Sequence, residues 1–386
     1  MRSPPRRNSA VRLWSTGQVL RKALAAAVAL IFLVDIGVLV LANLLDDLGD
    51  FGGGGPQRAD FVDQPVGTPE SSSIPRKGDL ILRSLGVGVS AQPLDRPAAV
   101  PVPLFDARYL RSVAPDGRHV VASSVADRWQ VIRLSDLRAV AEVQGGEPFF
   151  LDGDRLLIVF SGRNCTRGDA TLLDLRARTQ RRIRLSGDEA GLHPVAVDGG
   201  NIVAMRLHRG DSSCETAGAA LVDLDTGRVR TYVKKGVMVA WASGHSWLTD
   251  TMETRVLDVD GRQVGSGPRV LATRIGLNVV YVANPFEPTG MGIPPREPTA
   301  LRLGKAIGPG ASDLTGDMLV EPELIRPTLD ERAVLVTHRG GDLPNGGHKT
   351  VLSICTVPQL SCRELLDVTY DSSRTAMVVP AAVLTG

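Results

Sequence analysis

The amino-acid sequence predicts an all-β domain, a β-propeller of six or seven blades, preceded by one N-terminal transmembrane helix. Over residues 78–386, short runs rich in Val, Ile and Leu alternate with Gly-containing turns, and helical signals are nearly absent. Turn glycines of four successive copies lie 36, 46 and 45 residues apart, at Gly117, Gly153, Gly199 and Gly244. This period is typical of a four-stranded blade of about 40 to 45 residues. The apolar stretch 23–45 is long enough to cross a bilayer as a helix.

Charges on either side of this stretch predict its orientation. Basic residues precede the span and acidic residues follow it: Arg2, Arg6, Arg7, Arg12, Arg21 and Lys22, then Asp46, Asp47 and Asp50. Because positive charge stays on the cytoplasmic side, we expect residues 1–22 in the cytoplasm and the C-terminal domain outside, in a single-pass protein of the cytoplasmic membrane. A cleaved signal peptide is the alternative, but its apolar core usually spans only about 7 to 15 residues.

Asp35 lies near the middle of the predicted span. A central carboxylate costs about 2.5 to 3.5 kcal/mol on insertion scales, which the surrounding apolar side chains offset. The carboxylate either has no role or contacts a partner helix, and both interpretations stay open.

Residues 46–77 are predicted to form a flexible linker. They contain four consecutive Gly, several Pro and three consecutive Ser, a composition that cannot bury a core. The propeller domain is therefore expected to span residues 78–386.

Each copy of the repeat contains a turn, an apolar strand, a polar loop, a second strand ending in an acid, another turn and a third strand. Three complete copies occupy 115–143, 152–185 and 198–233, and a degenerate copy occupies 243–266. Two further copies are expected near Asn278–Leu303 and Asp330–Val368. Strands at Asp79–Ser84 and Thr375–Val379 are available to close the ring.

The segment PDGRHVVAS, residues 115–123, resembles the WD40-like repeats of the TolB type, in which a Pro-Asp-Gly turn enters an apolar strand. The resemblance covers one copy well, and the other copies keep only Asp-Gly or Ser-Gly. It implies a propeller that presents loops to partners and implies no particular activity. The preference for Arg over Lys, with abundant Ala, Gly, Val and Pro, indicates a GC-rich bacterial genome of the actinobacterial kind.

The four cysteines are predicted to form two disulfides. Cys165 and Cys214 lie in corresponding loops of successive copies, which neighbouring blades would hold side by side. Cys355 and Cys362 flank a turn at Pro358-Gln359, so a hairpin there sets them opposite each other at a distance that suits a disulfide. Free thiols are the alternative, and the absence of CxxC or HxxxH spacing argues against a metal site.

Composition and motifs exclude several function classes. A formal charge of +2 on 386 residues argues against nucleic-acid binding. The sequence has no GxSxG, HExxH, EF-hand or GxxxxGK motif, so we predict no catalytic, metal or cofactor residue from motifs. His119 falls in a predicted strand and is interpreted as a structural residue.

Two surface segments are candidate contact sites. The Pro-rich loop 284–299 is longer than its equivalents, and its candidate contact residues are Pro285, Phe286, Met291, Ile293 and Arg296. Five arginines between 176 and 184 could meet an anionic cell-surface polymer or lipid headgroup, but a solvated edge strand protected against aggregation is the favoured interpretation.

The leading functional hypothesis is a membrane-tethered, extracytoplasmic module that binds a protein or a component of the cell envelope. One alternative is a hydrolase or lyase with its site in the propeller channel, and another is a sensor that signals through the helix. Acidic or His residues that converge at the channel would favour the enzyme. An exposed apolar surface beside the 284–299 loop would favour docking.

Overall fold

The computed structural model of the protein describes residues 58–384, except for 75–76, 85–87, 126–127, 162–164, 189, 210–213, 251–252, 284–297, 306, 308–312, 343–347 and 369–375. Within this part of the chain, no helix has the length and apolar composition that a membrane span requires. The predicted span 23–45, including Asp35, lies outside the described residues.

Strands dominate the described chain. It begins with β1 (Arg58–Pro65) and a short 3-10 helix (Pro69–Ser73). Sheet 1 contains β2 (Asp79–Ser84), β3 (Val89–Pro93) and β4 (Val102–Phe105). Sheet 2 contains β5 (Tyr109–Val113), β6 (His119–Val125), β7 (Arg128–Arg133) and β8 (Arg138–Gln144). Sheet 3 contains β9 (Glu147–Phe150), β10 (Arg155–Ser161), β11 (Arg167–Asp174) and β12 (Thr179–Ile183).

The second half of the chain continues the same pattern. Sheet 4 contains β13 (Ser186–Gly187), β14 (Gly191–Asp198), β15 (Asn201–Arg209), β16 (Cys214–Asp223) and β17 (Arg228–Val233). Sheet 5 contains β18 (Val237–Ala242), β19 (His245–Thr249), β20 (Glu253–Asp258) and β21 (Gln263–Pro268). Sheet 6 contains β22 (Val270–Ile275), β23 (Asn278–Ala283), β24 (Thr299–Gly304) and β25 (Leu314–Leu319). Sheet 7 contains β26 (Leu324–Pro327), β27 (Ala333–Asp342), β28 (His348–Thr356) and β29 (Cys362–Val368). The last strand, β30 (Met377–Pro380), precedes a 3-10 helix (Ala381–Leu384).

The seven sheets are the blades of a β-propeller. The first strands of successive blades contact one another, β5 with β9, β14 with β18, β18 with β22 and β22 with β26, which places them around a common channel. The last strand, β30, pairs antiparallel with β2 and becomes the inner strand of sheet 1. The predicted fold is thus confirmed with seven blades, and the predicted ring-closing strands pair with each other.

Turn chemistry explains where the first strand ends in four of the blades. Gly117, Gly153, Gly199 and Gly244 all lie between the first and second strands of their blades. Gly117 has a φ of 75°, a left-handed conformation that glycine adopts without strain. The Asp116 carboxylate caps the same turn by accepting a hydrogen bond of 3.0 Å from the Arg118 backbone N–H.

Packing between blades accounts for the apolar strands. On β10, Leu156 and Ile158 belong to a core cluster shared with sheet 2, whereas Leu157 and Val159 belong to a cluster shared with sheet 4. Successive side chains of a strand point to opposite faces, and here each face meets another blade. Central strands therefore contain continuous apolar runs instead of an alternating pattern.

His119, at the start of β6, is a structural residue, as its position in a strand predicted. It is buried, and its Nδ1 lies 3.0 Å from the Gly153 carbonyl in the first turn of the next blade. Burial lowers its pKa. The side chain therefore links sheets 2 and 3.

The N-terminal strand β1 lies within residues 46–77, the stretch predicted to be a linker. It pairs antiparallel with β8 and adds a fifth strand at the outer edge of sheet 2. Asp63 of β1 forms a 2.6 Å ion pair with Arg138. Short-range composition does not reveal this strand, because its stabilising partner lies about 75 residues further along the chain. The expectation of a flexible linker now applies to the residues before Arg58.

Candidate functional site

The two ends of the propeller carry different connections. At the upper face, the second strand of each blade is joined to the third; at the lower face, the turn glycines join the first strand to the second. The channel lies between these faces and is bordered by the innermost strands. Since inner strands of all blades meet there, residues far apart in sequence come together at this position.

Three charged or titratable side chains from successive inner strands form a contact network, here called the channel triad: Arg111 of β5, Glu147 of β9 and His193 of β14. Glu147 bridges the other two. Its Oε1 pairs with the Arg111 guanidinium, and its Oε2 lies 2.7 Å from Nδ1 of His193. The side chains of Arg111, Glu147 and His193 are 37, 25 and 26% exposed, respectively, so all three are partly accessible to solvent.

Electrostatics fix the protonation of His193. Burial, and next the positive charge of Arg111, lower the pKa of His193 to about 4. The imidazole is therefore neutral at pH 7. A carboxylate held by a guanidinium only accepts hydrogen bonds. The proton of the imidazole is therefore on Nδ1, which donates a hydrogen bond to Glu147. Nε2 then holds a lone pair, and within the described residues it has no hydrogen-bond partner.

This arrangement can accept a proton or a hydrogen bond from a ligand. A carboxylate that orients a neutral histidine through Nδ1 leaves Nε2 as a base, which is one part of a general acid–base site. In the part of the chain that the structure describes, no group of three His, Cys, Asp or Glu side chains is placed as metal ligands would be. The triad thus offers a polar binding point in the channel.

A second polar cluster stabilises the interior of sheet 4. Arg206 Nε donates to Asp188 at 2.8 Å, and the Thr231 hydroxyl donates to the same carboxylate. Burial by itself raises the pKa of Asp188. Hydrogen bonds from Arg206, Thr231 and a backbone N–H outweigh burial, and the pKa falls to about 2. This cluster ties the segment before β14 to β15 and β17, so its role is to hold the blade together.

Both predicted disulfides are present. At the upper face, Cys165 of the loop after β10 is bonded to Cys214, where the loop after β15 ends and β16 begins, with Cα atoms 5.5 Å apart. Cys355 and Cys362 face each other across β28 and β29, with Cα atoms 3.9 Å apart. Disulfides persist in oxidising compartments, so the two bridges are consistent with an extracytoplasmic domain.

The predicted contact loop belongs to sheet 6. Its candidate residues, Pro285, Phe286, Met291, Ile293 and Arg296, lie outside the described residues. Its ends are described: β23 ends at Ala283 and β24 begins at Thr299, at the upper face. Met318, on the neighbouring strand, pairs with Ala300 and is 58% exposed. An exposed apolar side chain therefore lies directly beside the end of the loop.

The channel triad was missed in the sequence, although a signal was present. Arg111, Glu147 and His193 each lie six residues before a turn glycine, namely Gly117, Gly153 and Gly199. They occupy the same position of three successive repeats. Aligning the copies by their glycines and comparing the preceding strand, which the predicted repeat omitted, would have found them.

Comparison with known proteins identifies no family for this chain. No protein-family model matches the sequence, and no curated protein matches it. Among solved structures, apo AztD from Citrobacter koseri is similar at 12% identity and a TM-score of 0.47, over 79% of this chain and 84% of that one. The dihydro-heme d1 dehydrogenase NirN in complex with DHE is similar at 14% identity and a TM-score of 0.42, over 85% and 81%. No argument rests on these likenesses.

Proposed function

We propose that this chain is a bacterial, membrane-tethered propeller that binds a protein partner outside the cytoplasmic membrane. The tether comprises the predicted span 23–45 and the linker that follows it. The two disulfides support the outward location of the propeller. The WD40-like resemblance of residues 115–123 agrees with a domain that presents loops to partners.

One observation carries the binding proposal. The exposed Met318 lies beside the end of the Pro-rich loop, whose own sequence includes Phe286, Met291 and Ile293. Long loops on rigid scaffolds are common binding elements, and an exposed apolar side chain at the end of this one supports docking there. The partner would therefore dock on the upper face, at the outer part of sheet 6.

Crosslinking followed by affinity capture of the full-length protein from its own membranes tests this proposal. The double variant F286S/M291S should lose a partner that the wild type recovers. Val100, which is 84% exposed at the lower face, provides the matched control, and V100S should recover the partner normally. Equal recovery by the loop variant and the control would rule out docking through this loop.

Protease treatment tests the topology separately. On cells stripped of outer wall layers, external protease should remove residues 80–386. Protection of this domain would contradict the proposed orientation of the span.

The channel triad favours a second candidate function, proton transfer by an enzyme. Oriented by Glu147, the free Nε2 of His193 can accept a proton from a substrate, although its pKa of about 4 makes it a weak base. A screen of ester, amide and lyase substrates would compare the wild type with H193Q, using H245Q as the control. An activity lost only in H193Q would support the enzyme, whereas activity unaffected by H193Q would exclude this histidine as its base.

A further inference from the structure

The outer edge of sheet 3 carries five basic side chains that the proposed function does not use. We call it the arginine edge. It consists of β12 and its flanking residues, and β12 pairs with β11 on one side while no strand covers its other side in the described chain. All of its arginines are exposed: Arg176, Arg178, Arg181, Arg182 and Arg184.

Neutralising contacts within the arginine edge are few. Arg182 pairs with Asp169, its Nε lying 2.7 Å from Oδ2. The side chains of Arg176 and Arg184 have no hydrogen bond or ion pair to any residue that the structure describes. Five guanidinium groups therefore face one ion-paired carboxylate, and Arg178 also lies near enough to Asp63 to help lower the pKa of that carboxyl, in a protein whose formal charge is only +2. The positive charge is concentrated at this place.

Two of the remaining arginines are held in position without losing their charge. The Arg178 guanidinium lies 5.5 Å from the centre of the Phe61 ring on β1, a cation–π contact. Arg181 donates to the Leu224 carbonyl at 3.3 Å. Because these partners are neutral, both guanidinium groups keep their charge and their remaining N–H donors for a ligand.

Protection against aggregation does not explain the arginine edge. Charged residues on edge strands can serve that purpose, but another blade of this protein manages without them. Its outermost strand, β21, reads QVGSGP, contains neither Lys nor Arg, and among the described residues is paired with a strand on one side only. Since this edge strand needs no basic residue, the five arginines of the arginine edge call for another reason.

Shape and chemistry indicate the ligand class. The arginines follow an exposed outer strand instead of lining a pocket, so a small anion would contact only one or two of them, whereas an extended polymer would contact most. Guanidinium forks bind phosphate oxygens in a bidentate manner. Backbone N–H groups on the open side of an edge strand are further donors of the kind that phosphates accept.

We propose that the arginine edge binds a linear polyanion with one phosphate in each repeat unit. This site lies at the outer edge of sheet 3, whereas Glu147 of the channel triad lies on the inner strand of that sheet and the candidate contact loop belongs to sheet 6. The polyanion proposal is therefore independent of the protein-docking proposal.

Binding of long-chain inorganic polyphosphate to the full-length protein in a neutral detergent tests the inference. The triple variant R176Q/R181Q/R184Q removes three charges and spares both the ion pair of Arg182 and the ring contact of Arg178. The control R228Q/R262Q/R363Q removes the same charge from exposed positions on or beside three other outer strands.

Wild type and control should bind alike, and the arginine-edge variant should bind at least roughly tenfold more weakly at about 50 mM salt. The slope of log affinity against log salt should fall from about −3 to about −1, since each phosphate contact contributes roughly −0.7 for a flexible strand. Equal losses in both variants would overturn the proposal. So would equal affinity for poly-glutamate, or a selective loss that occurs only with phosphatidylglycerol vesicles.

Discussion

Loss of the disulfide between blades should destabilise the protein more than loss of the hairpin disulfide. The first joins Cys165 to Cys214, 49 residues apart, and the second joins Cys355 to Cys362, seven residues apart. In the chain-entropy model, closing these loops restricts the unfolded chain by about 4 and about 2.5 kcal/mol, respectively. The cost of removing a bridge follows the length of the loop it closes.

The variants C214S and C362S make the comparison. Each replaces the more exposed cysteine of its pair, so neither buries a new hydroxyl group in the core, and each leaves a buried thiol behind. With an unfolding entropy of about 2.1 cal/mol/K per residue, the midpoints should fall by about 6 °C for C214S and about 4 °C for C362S.

Thermal unfolding followed by circular dichroism measures the midpoints at a fixed scan rate. In the presence of reductant, the wild type and both variants should converge, because no bridge remains in any of them. A midpoint for C362S at or below that of C214S would refute the loop-entropy reasoning. Non-reducing peptide mapping that linked Cys165 to Cys355 would show that the blade register is wrong.

Two further predictions concern the channel and the closure of the ring. The folded-state pKa of His193, about 4, lies below the ordinary value of 6.5, so the unfolded chain takes up this proton first as pH falls. In urea titrations, the unfolding free energy of the wild type should fall by on the order of 2 to 3 kcal/mol relative to that of H193Q between about pH 6.5 and 4. If the difference in unfolding free energy between the two proteins stayed constant over this range, the lowered pKa of His193 would be refuted. Val379 of β30 is fully buried, so V379D should destabilise by about 3 to 5 kcal/mol and accelerate amide exchange in β2. The exposed control V100D should stay within about 0.5 kcal/mol of wild type, and unchanged exchange in β2 would contradict closure by β30.

Much of the fold could be predicted because its signals are local and repeated. A turn glycine and an apolar run after it are properties of adjacent residues, and Gly117 and its counterparts mark the same turn in four blades. Three of these glycines, Gly117, Gly199 and Gly244, have a left-handed conformation. The cysteine pairing followed from the same alignment. Cys165 and Cys214 occupy matching loops, and the propeller sets matching loops of neighbouring blades side by side.

The matching positions of the channel triad were present in the sequence, but the contacts between its residues were not. Glu147 begins a strand of only four residues, too short for a clear alternating pattern, and the predicted repeat began at the turn after it. The inner strands of sheets 2 and 4 bring Arg111 and His193 to the two carboxylate oxygens of Glu147. Neither contact is a property of the local sequence.

By itself, the sequence determined the repetition of short apolar strands, the turns that separate them and the cysteines that can be joined, because each depends on residues close together in the chain or at matching repeat positions. The tertiary structure decided that the blades number seven. The tertiary structure alone decided which charges are neutralised, that β1 covers the edge of sheet 2, and that β12 remains uncovered. These outcomes depend on contacts between residues tens of positions apart, and burial, pairing and pKa are set only when such residues meet.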